Sequence, residues 1–371
     1  MALLYITIAF FIAYSILILY YKTGWAEVSV FVPPGGPRTT KISVIIPARN
    51  EEKNIGNLLT ALASQSYPRH LYEIIVIDDH SEDNTASEVK RYSGVKLIQL
   101  KEENLNSYKK KAIETGIAAA TGELIVTTDA DCIAGPGWLK TIAAFKEEKQ
   151  ACFIAAPVVL SCNYSLLQMF QSLDFLVLQG ITAACVHKKF HTMCNGANIA
   201  YDKKAFYEAK GFTGIDHIAS GDDMLLMKKI AQRYPDKIYY LLSKEAIVST
   251  PAEKTWRAFF DQRIRWASKA TQYDDKRITG VLLLVYIFNL FLLVLSVAGF
   301  RVQALWYGLA VLLILKTVIE LIFVFPVARF FGKQRLLSLF PFFQPLHILY
   351  TVLAGLFGQF GRYNWKGRKV K

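Results

Sequence analysis

The chain reads as an α/β protein: a doubly wound, mostly parallel sheet flanked by helices that cross a membrane. Three observations carry that reading. Between residues 41 and 128, short β-branched runs alternate with segments of helical periodicity, the pattern that builds a parallel sheet covered on both faces. Apolar runs near both ends are long enough to cross ~30 Å of hydrocarbon as helices. Aspartate-rich clusters fall where strands are expected to end, and open α/β sheets bind ligands beyond the carboxyl ends of their strands.

Residues 2–21 carry no formal charge. They lack the basic n-region and small-residue cleavage site of a secretory signal, so a retained anchor over 1–22 is expected. Lys41-Ile42-Ser43-Val44-Ile45-Ile46-Pro47 reads as a buried parallel strand stopped by proline. Asn50 offers an N-cap for an amphipathic helix over about 51–66, with Glu51 and Glu52 in its first turn and Ile55, Leu58, Leu59 and Leu62 on its apolar face. A second strand, Glu73 to Ile77, runs into Asp78-Asp79. A helix at 83–92, a strand at 95–100, a helix at 108–120 and a strand at 123–128 complete the alternation. Beyond it the pattern is less regular. Ser165 to Gly180 looks helical, Gly196, Gly211, Gly214 and Gly221 punctuate the stretch after it, and helices are expected at 222–234 and 255–272. Apolar runs at 278–300, 304–328 and 338–358 read as spans; Pro341 and Pro345 leave the third room for a re-entrant path. The organisation is therefore an anchor (1–22), a water-facing domain (40–275), a membrane region (278–358) and a basic tail (359–371).

The net charge is +13, but the basic residues gather beside the spans, at Lys276-Arg277, Arg329 to Arg335 and Arg362 to Lys371. That placement favours the cytoplasmic side of a membrane and anionic headgroups, and no nucleic-acid partner is expected. The five cysteines have no C-x-x-C spacing, which supports neither a zinc site nor a disulfide framework. There is no G-x-G-x-x-G and no Walker A string, which argues against dinucleotide and P-loop chemistry. Lys316 and Glu320 stand i,i+4 inside a predicted span, either as a functional pair or as a self-neutralising one.

Six polar clusters are candidates for chemistry. Asp129-Ala130-Asp131 closes an apolar strand; two carboxylates there either share a hard cation that bridges phosphate oxygens or simply form a capped turn. Asp222-Asp223 opens a helix, as a cap or as the general base for a hydroxyl. Gln262-Arg263-Ile264-Arg265-Trp266 places Gln262 and Trp266 on one helix face; the indole suits a sugar ring and the arginines suit phosphate, though a membrane-surface helix would use the same residues. Pro47-Ala48-Arg49-Asn50 and Asp78-Asp79 also fall at predicted strand ends, and with Asp129-Ala130-Asp131 they are expected to share one crevice. Asn195-Gly196-Ala197-Asn198 has the small residues of either a close ligand approach or an ordinary turn.

The ordered set Val44 to Glu51, Val76 to Ser81, Asp129-Ala130-Asp131, Gly221-Asp222-Asp223 and Gln262 to Trp266 resembles the family 2 glycosyltransferases of GT-A fold. It is most similar to the membrane branch that includes cellulose, chitin and hyaluronan synthases. The resemblance implies a nucleotide-sugar donor, a UDP-sugar foremost, bound by Pro47, Ala48, Arg49, Glu51, Asp78, Asp79 and Lys109. It implies Mg²⁺ or Mn²⁺ on Asp129 and Asp131, with Asp223 as catalytic base. Asp222, Gln262, Arg263, Arg265 and Trp266 would hold the acceptor and the leaving diphosphate. Glu114 stands where relatives have asparagine after the lysine, and Asp222 where they commonly have glutamate. Because activated sugars are cytosolic, the domain is expected on the cytoplasmic face of a bacterial plasma membrane. One base and no evident enzyme nucleophile imply inversion. Few spans favour a lipid-linked or short glycan acceptor over a processively extruded polysaccharide. The rival readings are a nucleotidyltransferase, which would release pyrophosphate, and a noncatalytic nucleotide-binding scaffold.

Overall fold

The computed structural model describes residues 1–103, 105–163, 165–190, 193–218, 221–268, 275–360, 363–365 and 368–370. The chain alternates between two compact units: a sheet unit, Glu27–Ser161 with Cys185–Pro251, and a helical unit, Met1–Ala26 with Cys162–Ala184 and Ala252–Lys371.

The sheet unit is organised on strands β1 (Ile42–Ala48), β2 (Tyr72–Asp78), β3 (Val95–Gln99) and β4 (Leu124–Thr127), followed by β5 (Ile133–Ala134), β6 (Phe153–Ala155), β7 (Val158–Ser161), β8 (Ile199–Asp202), β9 (Ile238–Tyr240) and β10 (Val248–Pro251). The main sheet runs β3-β2-β1-β4-β8-β6-β9, and β5-β10-β7 form a smaller one. Pairing is parallel from β3 through β4; β8 runs antiparallel to both β4 and β6, and β9 returns parallel to β6. The sheet is thus mostly parallel, with one reversed strand.

The β-branched runs sit at its centre because helices cover both faces. Val44, Ile45, Ile46, Ile75, Val76 and Ile77 are fully buried, each such side chain contributing about 1.5–3 kcal/mol of burial. Helix α2 (Ile55–Ala63) buries Ile55, Leu58, Leu59 and Leu62, and α4 (Tyr108–Ala119) packs so closely that a Cβ on Gly116 would lie 2.6 Å from Ile45 Cγ2. Short α3 (Thr85–Val89) and α5 (Trp138–Lys149), then α7 (Lys203–Glu208) and α8 (Met224–Arg233), complete this unit's helices among the described residues.

Two local expectations are corrected. The first strand does not stop at Pro47 but runs to Ala48 in register with Asp78. Pairing of β1 with β4 ends at Ile45↔Thr127, so the missing N–H of Pro47 falls beyond that ladder and breaks no bond there. Asn50 is not an N-cap: it takes φ 52, residues 52–54 form turns, and α2 begins after Asn54. Its side chain instead accepts from Glu82 N at 2.9 Å, as asparagine readily does in left-handed backbone.

The helical unit contains α1 (Ala2–Glu27, up to Ala26), α6 (Leu166–His187, up to Ala184), α9 (Trp256–Ala267), α10 (Lys276–Ala298), α11 (Ala304–Phe330) and α12 (Phe340–Phe360), with a strand pair β11 (Tyr363–Trp365) and β12 (Arg368–Val370) in the segment expected as a tail. Among the described residues, five helices are long and apolar enough to cross a membrane. Four carry exposed apolar side chains such as Ile6, Leu283, Ile314 and Leu349. The fifth, α6, has 78% of its apolar window buried inside the protein and serves as an interior helix. Leu167, Phe170 and Phe259 form a core there, with Phe343, Leu346 and Tyr350 against it. The third C-terminal run is one continuous helix through Pro345. Lys316 and Glu320 are the self-neutralising pair: Lys316 Nζ donates to Glu320 Oε1 at 2.6 Å and to Gln344 Oε1 at 2.7 Å, and the Tyr14 hydroxyl also donates to Glu320.

Candidate active site

The first wall of the site is the pair of loops after β1 and β2. Their backbones are laced by side chains: Asn50 N donates to Ser81 Oγ at 3.0 Å, Glu51 N to Thr85 Oγ1 at 2.7 Å and Glu52 N to Asp83 Oδ2 at 3.1 Å. Arg49, 8% exposed, donates from Nη1 to the carbonyls of Asp79 and His80 and pairs through Nη2 with Glu82 at 3.1 Å. Asp79 N donates to Ala48 O at 2.8 Å, and Asp78 Oδ1 accepts from Ser81 N at 3.2 Å. Glu51 accepts from Asn54 Nδ2 at 2.7 Å. Pro47, Ala48, Arg49, Glu51, Asp78 and Asp79 therefore belong to one rigid edge at the carboxyl ends of two adjacent strands. Of the lacing residues, Ser81 closes the Val76 to Ser81 string, whereas Glu82, Asp83 and Thr85 went unread in sequence; their only signal is a run of polar side chains after Asp79.

The second wall gathers the acidic residues. Lys109, in the first turn of α4, reaches Asp129 Oδ1 at 2.7 Å and Asp222 Oδ2 at 3.3 Å. Burial alone would lower its pKa, but Asp129 and Asp222 outweigh that and hold the ammonium well above the ordinary lysine range. Asp223 caps α8, accepting from Met224 N at 2.7 Å through Oδ1 and from Gly196 N at 3.0 Å through Oδ2. Gly196 lies so near this cluster that an added Cβ would stand 3.3 Å from Asp222 Oδ2 and 3.4 Å from Lys109 Nζ. Asn198, fully buried, fixes that turn: its amide donates to Pro157 O and Ala246 O, both at 2.8 Å, and its Oδ1 accepts from Trp138 Nε1 at 3.0 Å. Asp223 is thus the helix cap offered as one reading of Asp222-Asp223, and the Gly196 backbone lies against it.

Asp131, two residues beyond Asp129, accepts from Thr250 Oγ1 at 3.4 Å. Cys132, buried beside both carboxylates, has its thiol pushed up by burial, Asp129 and Asp131, and is chemically quiet. Among the described residues no three His, Cys, Asp or Glu side chains form a metal cage. A divalent ion carried on a diphosphate needs only one or two protein carboxylates, which Asp129 and Asp131 offer. The ammonium of Lys109 on Asp129 marks a place where positive charge is already held.

In the helical unit, α9 carries Gln262, Arg263, Arg265 and Trp266. Arg263 is 4% exposed and paired to Asp174 at 2.6 Å, and its guanidinium carbon stands 4.3 Å from the Trp266 ring centroid. Gln262 donates to Glu253 Oε1 at 3.1 Å. Arg265 and Trp266 are half-buried.

Residues 43–209 match the family model for glycosyl transferase family 2. The chain is similar to the probable glycosyltransferase YdaM of Bacillus subtilis (strain 168), 28% identical over 240 residues that cover 63% of this chain and 56% of that protein. It is also similar to dodecaprenyl-phosphate galacturonate synthase of Rhizobium johnstonii, 32% identical over 117 residues, 30% of this chain and 34% of that protein. The matches thus span about half or less of these relatives' own length. Among solved structures it resembles a mannosyltransferase, PcManGT from Pyrobaculum calidifontis in complex with GDP-Man and Mn²⁺. That likeness has a TM-score of 0.61 at 19% identity and covers 96% of this chain and 99% of the other, a likeness of fold.

Proposed function

We propose that this chain is a family 2 glycosyltransferase, its residues 43–209 matching that family's model, and that it moves a sugar from a nucleotide-sugar donor to a lipid-linked or short glycan acceptor at a membrane surface, with inversion. The observation that carries the reading is the convergence of Asp129, Asp222, Asp223, Lys109 and Gly196 at 2.7–3.3 Å separations beside the end of β4. A scaffold with no chemistry has no use for two carboxylates gathered on one ammonium with a third beside them.

In this reading the donor's nucleoside lies along the laced edge of Pro47, Ala48, Arg49, Glu51, Asp78 and Asp79. When bound, Mg²⁺ or Mn²⁺ on Asp129 and Asp131 neutralises charge developing on the nucleoside diphosphate; the structural neighbour is bound to Mn²⁺ and GDP-Man. Asp223 accepts the proton of an acceptor hydroxyl, whose oxygen bonds to the anomeric carbon as the bond to the diphosphate breaks. Two of the roughly four lone-pair sites of that carboxylate go to backbone N–H groups, which aim the remainder. Lys109 and Asp222 set the field around it. Gln262 and Trp266 take the acceptor sugar, and Arg265 the leaving diphosphate. A lipid-phosphate acceptor is favoured by the apolar helices and by the polyprenyl phosphate in the name of the Rhizobium relative. The catalytic domain is read on the cytoplasmic side of a bacterial plasma membrane.

The test is release of nucleoside diphosphate from a panel of UDP- and GDP-sugars, in native membranes with Mn²⁺ or Mg²⁺ and total membrane lipid as acceptor. Metal-dependent release from one donor, absent in Asp223→Asn, is the expected result. Release of pyrophosphate would point to a nucleotidyltransferase, and donor binding with no turnover in any lipid to a scaffold.

A further inference from the structure

We infer that Asp174 is a positioning residue: through the guanidinium of Arg263 it sets the side chains of Gln262 and Trp266. The inference rests on the reading of those two as acceptor-binding groups, and its geometry lies wholly within the helical unit.

Asp174 sits in the interior helix α6, and both its carboxylate oxygens are used. Oδ2 accepts from Arg263 Nη2 at 2.6 Å, and Oδ1 accepts from the Tyr350 hydroxyl on α12. His347, one turn earlier on α12, brings Nε2 to 3.9 Å from Oδ1. The Asp174 and Arg263 side chains are each 4% exposed. An arginine so buried does not read as a group held out for a ligand. It carries a charge that needs a counter-charge, and Asp174 of α6 supplies one.

Arg263 passes that fixed position on. Its Nη1 donates to Gln262 Oε1 at 2.9 Å, and Gln262 Nε2 donates to Glu253 Oε1 at 3.1 Å, so both ends of the amide are held. Its guanidinium carbon lies 4.3 Å from the Trp266 ring centroid and 4.8 Å from that of Phe259. A guanidinium is one rigid plane of donors. Locking Nη2 onto Asp174 therefore fixes the plane that orients the amide and the plane that stacks on the indole. Long side chains on an unsupported helix sample several rotamers; here one carboxylate removes that freedom from two of them. The four-residue motif thus divides into Arg263 as internal strut and Gln262, Arg265 and Trp266 as the groups it leaves to face a ligand.

The alternative is that the pair only fastens α9 to α6, which would change stability but not the kinetic constants of folded enzyme. The experiment uses the full chain in lipid nanodiscs, measuring nucleoside diphosphate release against donor concentration and against total membrane lipid extract. Asp174→Asn is compared with Tyr350→Phe, which removes one hydrogen bond and keeps the charge. For Asp174→Asn the apparent KM for lipid extract is expected to rise roughly ten- to a hundredfold, the scale of an ångström-sized misplacement. The KM for donor and the rate of acceptor-free donor hydrolysis should stay at wild-type values. Tyr350→Phe should show the same split, smaller, and decides the matter if Asp174→Asn is not recovered folded. Folded variants whose two KM values stay unchanged, or move together, overturn the positioning role while leaving the transferase intact. A wild type silent with every donor overturns the acceptor reading and this inference with it.

Discussion

In the sheet unit, the lysine that meets carboxylates keeps 24% of its side chain exposed and faces Asp129 at 37%. In the helical unit, Lys316 and Glu320 are 0% and 8% exposed, and Arg263 and Asp174 are 4% each. The contact distances are nearly the same, so burial makes the difference. An ion pair with one partner open to solvent, as Asp129 is, is worth less and can trade partners; a fully buried pair cannot lose one member without stranding a charge. Lys109 and its aspartates are thus available for chemistry, whereas the helical unit's charges hold shape.

The sharpest break between the two comes from removing one charge in each. Asp223→Asn should lower turnover by about 10²–10⁴-fold, read as nucleoside diphosphate release. Asparagine keeps one side-chain oxygen for a backbone N–H but turns an NH₂ donor toward the other, so a loss of about 1–3 kcal/mol of stability is expected beside it; a larger loss, with turnover falling only in step with it, would mean that the residue's role is structural. Lys316→Met should do the reverse. It strands Glu320 and is expected to cost about 3–5 kcal/mol of stability, read by thermal unfolding in detergent. The double variant Lys316→Met/Glu320→Gln should regain most of that loss, and a double variant as unstable as the single one would contradict the pairing.

A finer probe of exchangeability is Lys109→Met. With the ammonium gone, Asp129 meets a free cation without a competitor. Affinity for Mn²⁺ alone should rise on the order of tenfold at low ionic strength and less at high salt, read by calorimetry without donor. Unchanged affinity would show that lysine and metal do not share a carboxylate.

The smallest expected effect concerns Glu147. Burial alone would raise its pKa, but Thr39 N, Thr40 N and Thr40 Oγ1 bond its carboxylate and bring the pKa below the ordinary value. The stability it contributes is present above the unfolded pKa, near ~4.3, and is lost as pH falls through the lower folded value. Glu147→Gln should therefore flatten the acid limb of a stability-against-pH curve; an unaltered limb would remove this residue from the account.

How much of this was legible depends on how local the cause is. The strands from β1 to β4 and helices α2 and α4 announce themselves through periodicity, since each buries a face that its own spacing defines. Strands β6, β8 and β9, three or four residues each, are too short to show a period, and the reversal at β8 comes from pairing partners distant in sequence. Helix α5 went unread although Gly135-Pro136-Gly137 punctuates its start. At the site, the aspartates could be named because strand ends are predictable places. The partnership of Arg263 with Asp174 could not: helical spacing tells which face an arginine occupies, and only the packed fold tells whether that face meets a core.

Asp174 also has a history during synthesis. Its partner Arg263 lies 89 residues later in the chain and its partner Tyr350 lies 176 residues later. When α6 leaves the ribosome, its carboxylate has neither, and a span-length apolar helix with an unanswered charge must wait while the whole of β8 to β10 is made before α9 brings Arg263. That interval is a long exposure for a buried charge. A chain stopped before α9 would carry the site aspartates in full and yet leave Asp174 without its counter-charge.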